Sequence, residues 1–129
     1  MPFVSITVVK PKSDEFIRRL SGHLHHAMIE TVNCPPATIY HAVQQVDRAS
    51  LIYLPEYKGL ARTDDVVILQ ITLKEGRTAE MKQAMYNRIT TDLRQHLGIR
   101  TEDVFIILTE NKTEDWFLGR MGNPPESTG

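Results

Sequence analysis

The chain has 129 residues, of which 41% are hydrophobic and 24% are charged, and its formal net charge is −1. This length suits one domain with a packed core, and the near-neutral charge argues against a nucleic-acid partner, which needs a basic face. No apolar run approaches the roughly 20 residues of a membrane span, and no basic segment typical of a signal peptide is present. Cys34 is the single cysteine, which suits a reducing compartment. We therefore expect a cytoplasmic protein without a membrane partner.

The first half of the sequence predicts a strand, a helix and a second strand. Phe3–Val9 is a β-branched, apolar run that is long enough for a strand and too short for a helix. Ser13 can cap the following helix, and the prolines after Cys34 end it. Thr38–Val46 is the second predicted strand. The apolar stripe of the helix consists of Phe16, Ile17, Leu20, Leu24, Ala27 and Met28.

The second half repeats this order after a connecting insert, residues 47–64, which we interpret as a loop with a hairpin or an edge strand. Val66–Leu73 is the most apolar stretch and predicts a strand that is buried on both faces. A helix is predicted over Ala79–Leu97, and Gly98 ends it. Val104–Leu108 is the last predicted strand.

The two halves indicate one duplicated fold. The helix starts at Ser13 and Thr78 are about 65 residues apart, so a unit over about 2–46 matches a unit over about 65–109, and residues 111–129 form a tail. Each crossover should be right-handed with parallel strands. We predict a single α/β (α+β) domain with a four-stranded sheet and both helices on one face. Its bare, apolar other face predicts burial against further subunits.

Pro2 is the main candidate for a chemically active group. Methionine before a small residue is normally removed, which would leave the ring nitrogen of Pro2 as a free secondary amine. An α-amino group titrates near about 8, and burial or a neighbouring cation lowers its pKa further. Such an amine serves as a general base or forms an iminium with a carbonyl. The alternative is that Met-Pro is simply a common chain start.

Lys74 and Arg77 flank the Glu75-Gly76 turn at the end of the most apolar strand. Ligands of α/β folds often bind beyond strand ends and near helix starts. A pair of cations there can hold a carboxylate, which Arg77 can grip through two hydrogen bonds. The alternative is a solvated turn, but a cation at a helix start does not stabilise that helix, which favours a functional role.

Histidines and aromatic residues are the remaining candidates. His23 and His26 could share a helix face, but no carboxylate or thiolate completes their set, so we predict no metal and no other cofactor. His25 flanks the apolar stripe and can border a pocket. Trp116 and Phe117 lie beyond the last strand and are typical of a pocket wall or an interface.

In their order and spacing, these motifs resemble the tautomerase superfamily, and most of all its malonate semialdehyde decarboxylase-like branch. The resemblance reaches from Pro2 to about residue 123. It implies a homotrimer with an active site at each Pro2 and a small-molecule carboxylate as the substrate. The segments that carry it are Pro2, 51–53, 64–68, 76–78, 110–111, 115–116 and 119–120.

Activities of that superfamily include keto–enol tautomerisation of 2-oxo acids, decarboxylation of malonate semialdehyde and hydration-based dehalogenation. The resemblance gives catalytic roles to Pro2 and Arg77, while Lys74 stands where relatives often have arginine. Trp116 matches the tryptophan that walls the decarboxylase pocket. Thr38 stands where the decarboxylase has an aspartate associated with water, and threonine is no general base at neutral pH. This departure favours tautomerisation, which needs one proton carrier and a cation for the enolate oxygen.

Three functions therefore stay open. The leading hypothesis is a tautomerase, an isomerase of a small 2-oxo acid, in which Pro2 moves the proton and Arg77 and Lys74 are the catalytic cations. One alternative is a malonate semialdehyde decarboxylase or hydratase. The other is a non-catalytic ferredoxin-like domain that binds a ligand, in which Pro2 need not be free. The predicted substrate-binding residues are Trp116, Thr38, His25 and Phe117.

Overall fold

A computed structural model describes residues 2–122 of the chain. Met1, whose removal is expected, and residues 123–129, the end of the predicted tail, lie outside the described residues. Neither long helix in the described range has the length and apolar character needed to cross a membrane.

The described chain alternates strands and helices in the predicted order. The elements are β1 (Phe3–Val9), α1 (Asp14–Val32), β2 (His41–Val46), β3 (Glu56–Tyr57), β4 (Leu60–Ala61), β5 (Val67–Lys74), α2 (Ala79–Leu97) and β6 (Val104–Asn111). The four long strands form one sheet in the order β2-β1-β5-β6, with β1 parallel to β2, β5 parallel to β6, and β1 antiparallel to β5. The duplicated β-α-β fold with two parallel pairs is therefore confirmed.

Both helices begin and end at the residues that the sequence predicts. The Ser13 side chain accepts the N–H of Phe16 at 3.0 Å, and the Thr78 side chain accepts the N–H of Met81 at 3.2 Å. Each bond satisfies a backbone donor that the first helical turn leaves without a partner. Gly98 ends α2 with φ 67°, a left-handed conformation that glycine adopts without a steric penalty.

The hydrophobic core lies between the sheet and the two helices, which cover the same face. Alternate side chains of β1 and β5 point into it and are almost completely buried, as strand geometry requires. Fully burying one such side chain contributes about 1.5–3 kcal/mol, so the core fixes the positions of the strand ends. The largest buried side chains include Val4, Ile6, Val8, Leu20, Leu24, Met28, Leu69, Ile71, Leu73, Met85, Ile89 and Leu93.

The second strand starts later than predicted. Residues 38–40 are not part of β2, because the N–H and the hydroxyl of Thr38 both donate to the carbonyl oxygen of Pro35, at 3.0 and 2.8 Å. These bonds close a turn after α1 and keep the backbone out of the ladder. β2 then begins at His41, opposite Val4.

In the single chain, β5 is buried on one face only, whereas the sequence predicts burial on both faces. β5 alternates between buried and more exposed side chains, with Gln70 exposed between the buried Leu69 and Ile71. The face away from the helices is therefore mixed rather than uniformly apolar. On part of this face, polar side chains form hydrogen bonds with one another. The Ser5 hydroxyl donates to Oε1 of Gln44 at 3.1 Å.

The connecting insert contains the predicted hairpin, formed by β3 and β4. Asp103, directly before β6, is fully buried and attaches the end of the insert to the domain. Its carboxylate accepts the N–H of Thr63 at 2.6 Å and the Thr63 hydroxyl at 2.7 Å. This anchor lies at the edge of the sheet opposite to Pro2.

Candidate active site

One edge of the sheet gathers most of the residues that the sequence analysis singled out. β1 starts at this edge, whereas β5 and β6 end there, because β1 runs antiparallel to β5. The pairing of Phe3 with Thr72 puts Pro2, which is buried, next to the end of β5 at Lys74. The end of α1 and the start of α2 lie at the same edge, since each helix runs opposite to its neighbouring strands.

The turn after β5 is fixed by backbone hydrogen bonding to β6. Lys74 pairs with Asn111 in the ladder, and the N–H of Glu75 donates to the Asn111 carbonyl oxygen at 2.7 Å. Gly76 then adopts φ 122°, a conformation that side chains rarely tolerate, so the chain can reverse into α2. Lys74 and Arg77 are therefore held by a turn with a defined backbone.

Arg77 joins three elements at this edge. Its Nε donates to the carbonyl oxygen of Val32 at 2.9 Å, and its Nη1 donates to that of Lys74 at 3.1 Å. The Val32 carbonyl belongs to the last turn of α1, where a cation interacts favourably with the helix dipole. A guanidinium has five donor hydrogens, so these two bonds are compatible with ligand binding. Arg77 thus has a structural role that the sequence did not reveal.

An aromatic groove of about 540 Å³ is lined by Phe3, the residue that follows Pro2. The rings of Phe3 and Tyr40 lie 6.3 Å apart at one side of it. Trp116 is held at the other side, where its Nε1 donates to Oδ1 of Asn111 at 2.7 Å. The groove is therefore apolar, and neither Pro2 nor the cationic turn over residues 74–77 belongs to its lining. Its lining residues are Phe3, Tyr40, Trp116, Phe117, Leu118 and Gly119.

Two acidic side chains near this edge, Glu110 and Asp115, are engaged by a basic side chain or a backbone donor. Glu110 forms an ion pair with Lys82, with the Nζ and Oε1 atoms 2.8 Å apart. Asp115 accepts the backbone N–H of Lys112 at 2.8 Å. Lys74 lines a smaller polar cavity of about 290 Å³ with Glu75, Asn111, Lys112, Thr113 and Glu114.

Thr38 lies in the turn after α1, and His25 reaches that turn from α1, so neither is in the aromatic groove. The Thr38 hydroxyl, besides donating to Pro35, is 3.5 Å from the Sγ of Cys34. His25 Nε2 is 3.0 Å from the carbonyl oxygen of Pro36, which requires a proton on that nitrogen. The two residues contact the segment that leads to Tyr40, and neither lines the groove.

Sequence reasoning missed Phe3, Tyr40 and Asn111. Phe3 and Tyr40 come together because the N–H of Val4 donates to the Tyr40 carbonyl oxygen at 3.0 Å, which brings the two chain segments side by side. Asn111 was assigned to the tail. The sequence signal that could have pointed to it is its place after the apolar run of β6, level with the equivalent end of β5.

Within residues 2–122, no group of three or more His, Cys, Asp or Glu side chains is arranged to hold a metal ion. His23 instead stacks on His96, with ring centroids 4.7 Å apart. Burial, followed by the nearby His96, lowers the pKa of His23. His26 lies 3.1 Å from the carboxylate of Glu30.

His41, at the start of β2, is an uncharged histidine at neutral pH. Burial and, to a lesser extent, the neighbouring His25 lower the pKa of His41 from 6.5 to about 4. Its Nδ1 lies 2.7 Å from the hydroxyl oxygen of Ser21 on α1. The imidazole thereby connects α1 to the strand that follows Tyr40.

Stability should fall as the pH decreases from 6.5 towards 4, because the unfolded chain then binds a proton that native His41 excludes. Allowing for the partial exposure of the ring, we expect His41 to account for a loss of about 1–2 kcal/mol. Urea unfolding at a pH of about 7 and of about 5 measures it. His41→Gln should reduce the difference by that amount, whereas His26→Gln should retain it. Equal differences in the wild type and in His41→Gln would contradict the assignment.

The fold and this edge together define a class of protein in which a duplicated β-α-β unit brings Pro2 to the same sheet edge as Lys74 and Arg77. Two family models, both described as tautomerase enzyme, match residues 38–119 and residues 2–61. The probable tautomerase YusQ of Bacillus subtilis (strain 168) is 38% identical over 119 residues, which are 92% of this chain and 94% of YusQ. The chain belongs to the tautomerase family.

Further relatives agree in sequence and in structure. The probable tautomerase YrdN of the same Bacillus strain is 26% identical over 129 residues, covering 100% of this chain and 98% of YrdN. A crystal structure of malonate semialdehyde decarboxylase superposes with a TM-score of 0.85 at 27% identity, covering 92% of both chains. A fused 4-OT described as a symmetric trimer has the same fold, with a TM-score of 0.74 at 19% identity over 91% of both chains.

Proposed function

We propose that this protein is a tautomerase that interconverts the keto and enol forms of a small 2-oxo acid, with Pro2 as the proton carrier. The observation that carries the proposal is the burial of Pro2 at the edge where Lys74 and Arg77 also lie. With Met1 removed, the Pro2 amine would lie at an edge that carries two basic side chains. Burial and a nearby cation both disfavour the charged form of an amine, which would make it a base near neutral pH.

In the proposed reaction, the Pro2 nitrogen takes a proton from C3 of the 2-oxo acid. The C3–H bond breaks, a C2–C3 double bond forms, and negative charge develops on the C2 oxygen. Lys74 stabilises that charge by a charge-assisted hydrogen bond. The protonated Pro2 then delivers its proton to the oxygen, which gives the enol and restores the neutral amine, and the reverse sequence returns the proton to C3. No carboxylate partner is needed, which is compatible with threonine at position 38.

Arg77 and Lys74 are proposed to bind the substrate carboxylate. The two carbonyl oxygens that accept from Arg77 fix the plane of its guanidinium. Fixing this plane before binding reduces the entropy that substrate capture would otherwise cost. Trp116 and Phe117 would then contact the rest of the substrate from the aromatic groove, while Thr38 and His25 would support the turn behind it.

A decarboxylase or hydratase is the second candidate, favoured by the structural likeness to malonate semialdehyde decarboxylase. In that reaction the C–C bond to the carboxylate of malonate semialdehyde breaks, carbon dioxide leaves, and a proton adds to the remaining carbon to give acetaldehyde. Thr38 counts against it, because its hydroxyl already donates to a backbone carbonyl oxygen and is no base at neutral pH.

Two measurements on the purified protein distinguish these candidates. Proton NMR in D₂O follows loss of the C3 signal of 2-oxobutanoate and of phenylpyruvate, and we expect catalysed exchange above the buffer rate. The same method follows acetaldehyde formation from malonate semialdehyde, for which we expect no catalysis. Acetaldehyde formation without C3 exchange would exclude the tautomerase assignment. The absence of both reactions would favour the non-catalytic alternative.

The homotrimer implied by the sequence resemblance is also a proposal. It is supported by the apolar part of the open sheet face, where Phe105 and Ile107 are 41% and 42% exposed. Covering such side chains with a second and third copy of the chain would remove them from water. A cytoplasmic location is proposed because a single buried thiol at Cys34 suits a reducing compartment.

A further inference from the structure

We propose that Asn111 is a positioning residue that orients Trp116 and thereby sets the affinity of the site for substrates with a large apolar group. This inference rests on the proposed function, since it concerns the same aromatic groove. Asn111 is the last residue of β6, directly level with Lys74 at the end of β5. It therefore lies where the cationic turn and the aromatic groove meet.

The side chain of Asn111 is directed at Trp116. Its Oδ1 accepts the indole Nε1–H at 2.7 Å, in a half-buried position. An indole nitrogen is a donor only, and in an apolar wall it needs an acceptor to avoid the cost of burial without a hydrogen bond. The acceptor thus selects one orientation of a ring that lines the groove.

The backbone of Asn111 is fixed independently of that bond. Its carbonyl oxygen accepts the N–H of Glu75 at 2.7 Å, and its place in the β5–β6 ladder sets the direction of the side chain. Trp116 itself follows a short helical turn over Thr113–Asp115, in which the Trp116 N–H donates to the Thr113 carbonyl oxygen at 3.3 Å. A rigid strand end therefore holds a ring that comes from a surface turn.

This arrangement predicts that different residues at the edge bind different parts of the substrate. Lys74 and Arg77 would serve the carboxylate common to all substrates of the class. Trp116, held by Asn111, would contact only a substituent at C3. Loss of the Asn111 acceptor should consequently weaken binding of a substrate with an aromatic ring at C3 and should leave a substrate with a methyl group there almost unaffected.

The test compares Asn111→Leu, which removes the acceptor at similar size, with the wild type. For C3 exchange of phenylpyruvate we expect KM to rise about 3- to 10-fold with kcat changed less than about 2-fold, the range that one hydrogen bond supports. For 2-oxobutanoate we expect both constants to change less than about 2-fold. Asn87→Leu, the same substitution on an exposed turn of α2, is the matched control and should behave as the wild type.

Trp116 is the single tryptophan of the chain, so its fluorescence reports on this position alone. Asn111→Leu should increase acrylamide quenching and lower the anisotropy, because the indole loses the acceptor that Asn111 provides. Asn111→Asp keeps an acceptor oxygen and should restore the wild-type quenching. Its activity is not a useful comparison, since a new negative charge beside Lys74 would itself weaken carboxylate binding.

Unchanged quenching in Asn111→Leu, or an equal rise in KM for both substrates, would overturn the proposal. If Asn111→Leu does not fold, Asn111→Ser gives the same comparison, because its shorter side chain is polar but too short to hold the indole. Absence of C3 exchange in the wild type would remove the proposed function, whereas the fluorescence of the three variants would still decide whether Asn111 orients Trp116.

Discussion

Replacing Pro2 with alanine is expected to slow C3 proton exchange of a 2-oxo acid by about 10²–10⁴-fold, the range that a positioned general base supplies. A primary amine at the start of a more flexible chain retains basicity but loses the fixed direction that the ring and β1 give to the nitrogen. The free energy of unfolding should decrease by less than about 1 kcal/mol, because the strand pairing after residue 2 is unchanged.

NMR exchange rates and urea unfolding of the same preparations measure the two effects. Pro55→Ala is the matched control, since Pro55 is exposed in the connecting insert and its carbonyl oxygen, which accepts from Arg62, is retained. The Pro55→Ala protein should catalyse C3 proton exchange at the wild-type rate. A Pro2→Ala protein that keeps more than about a tenth of the wild-type rate would show that the ring of Pro2 is not needed to direct the base.

Replacing Arg77 with alanine should affect both stability and substrate binding. The substitution leaves the carbonyl oxygens of Val32 and Lys74 without their charged donor, and we expect the free energy of unfolding to fall by about 2–4 kcal/mol. KM for a carboxylate substrate should rise by about tenfold or more. Arg77→Lys should keep the charge but lose most of the contribution that Arg77 makes to the free energy of unfolding, because a single ammonium cannot span both oxygens.

Lys74→Gln separates these two effects. Arg77 donates to the backbone of Lys74 and not to its side chain, so we expect KM to rise by roughly tenfold while the free energy of unfolding falls by less than about 1 kcal/mol. Arg94→Ala, at the exposed end of α2, is the control and should change neither. Urea unfolding measures the free energy of unfolding of each variant, and steady-state exchange kinetics measure its KM. An Arg77→Ala protein as stable as the Arg94→Ala protein would refute the structural role of Arg77.

Much of the fold could be predicted because its signals are local. A cap at Ser13, a left-handed end at Gly98 and apolar residues at helical spacing each depend on only a few neighbouring positions. The ends of the strands depend instead on pairing between distant segments. β6 continues from the predicted Val104–Leu108 to Asn111 because β5 runs alongside it as far as Lys74, and no local composition marks that point.

The candidate site was predicted in part for the same reason. The family resemblance placed Pro2, Lys74 and Arg77 in one site, whereas the β-α-β pattern alone does not contain the antiparallel pairing of β1 with β5 that brings them to one edge. The partners of Arg77 and the contact between Asn111 and Trp116 depend on side-chain directions in the packed structure, which spacing does not contain. Thr38 was expected in a strand, but a hydrogen-bonded turn holds it, since its polar groups reach a nearby carbonyl oxygen first.

The most direct test of the central claim is a pH titration of the Pro2 nitrogen by ¹⁵N NMR on proline-labelled protein. We predict a titrating secondary amine with a pKa below the ordinary α-amino value of about 8, because burial and Lys74 disfavour the charged form. A nitrogen that does not titrate would mean that Met1 still acylates it. That result, or a pKa above about 8, would contradict a role for Pro2 as the base of this enzyme.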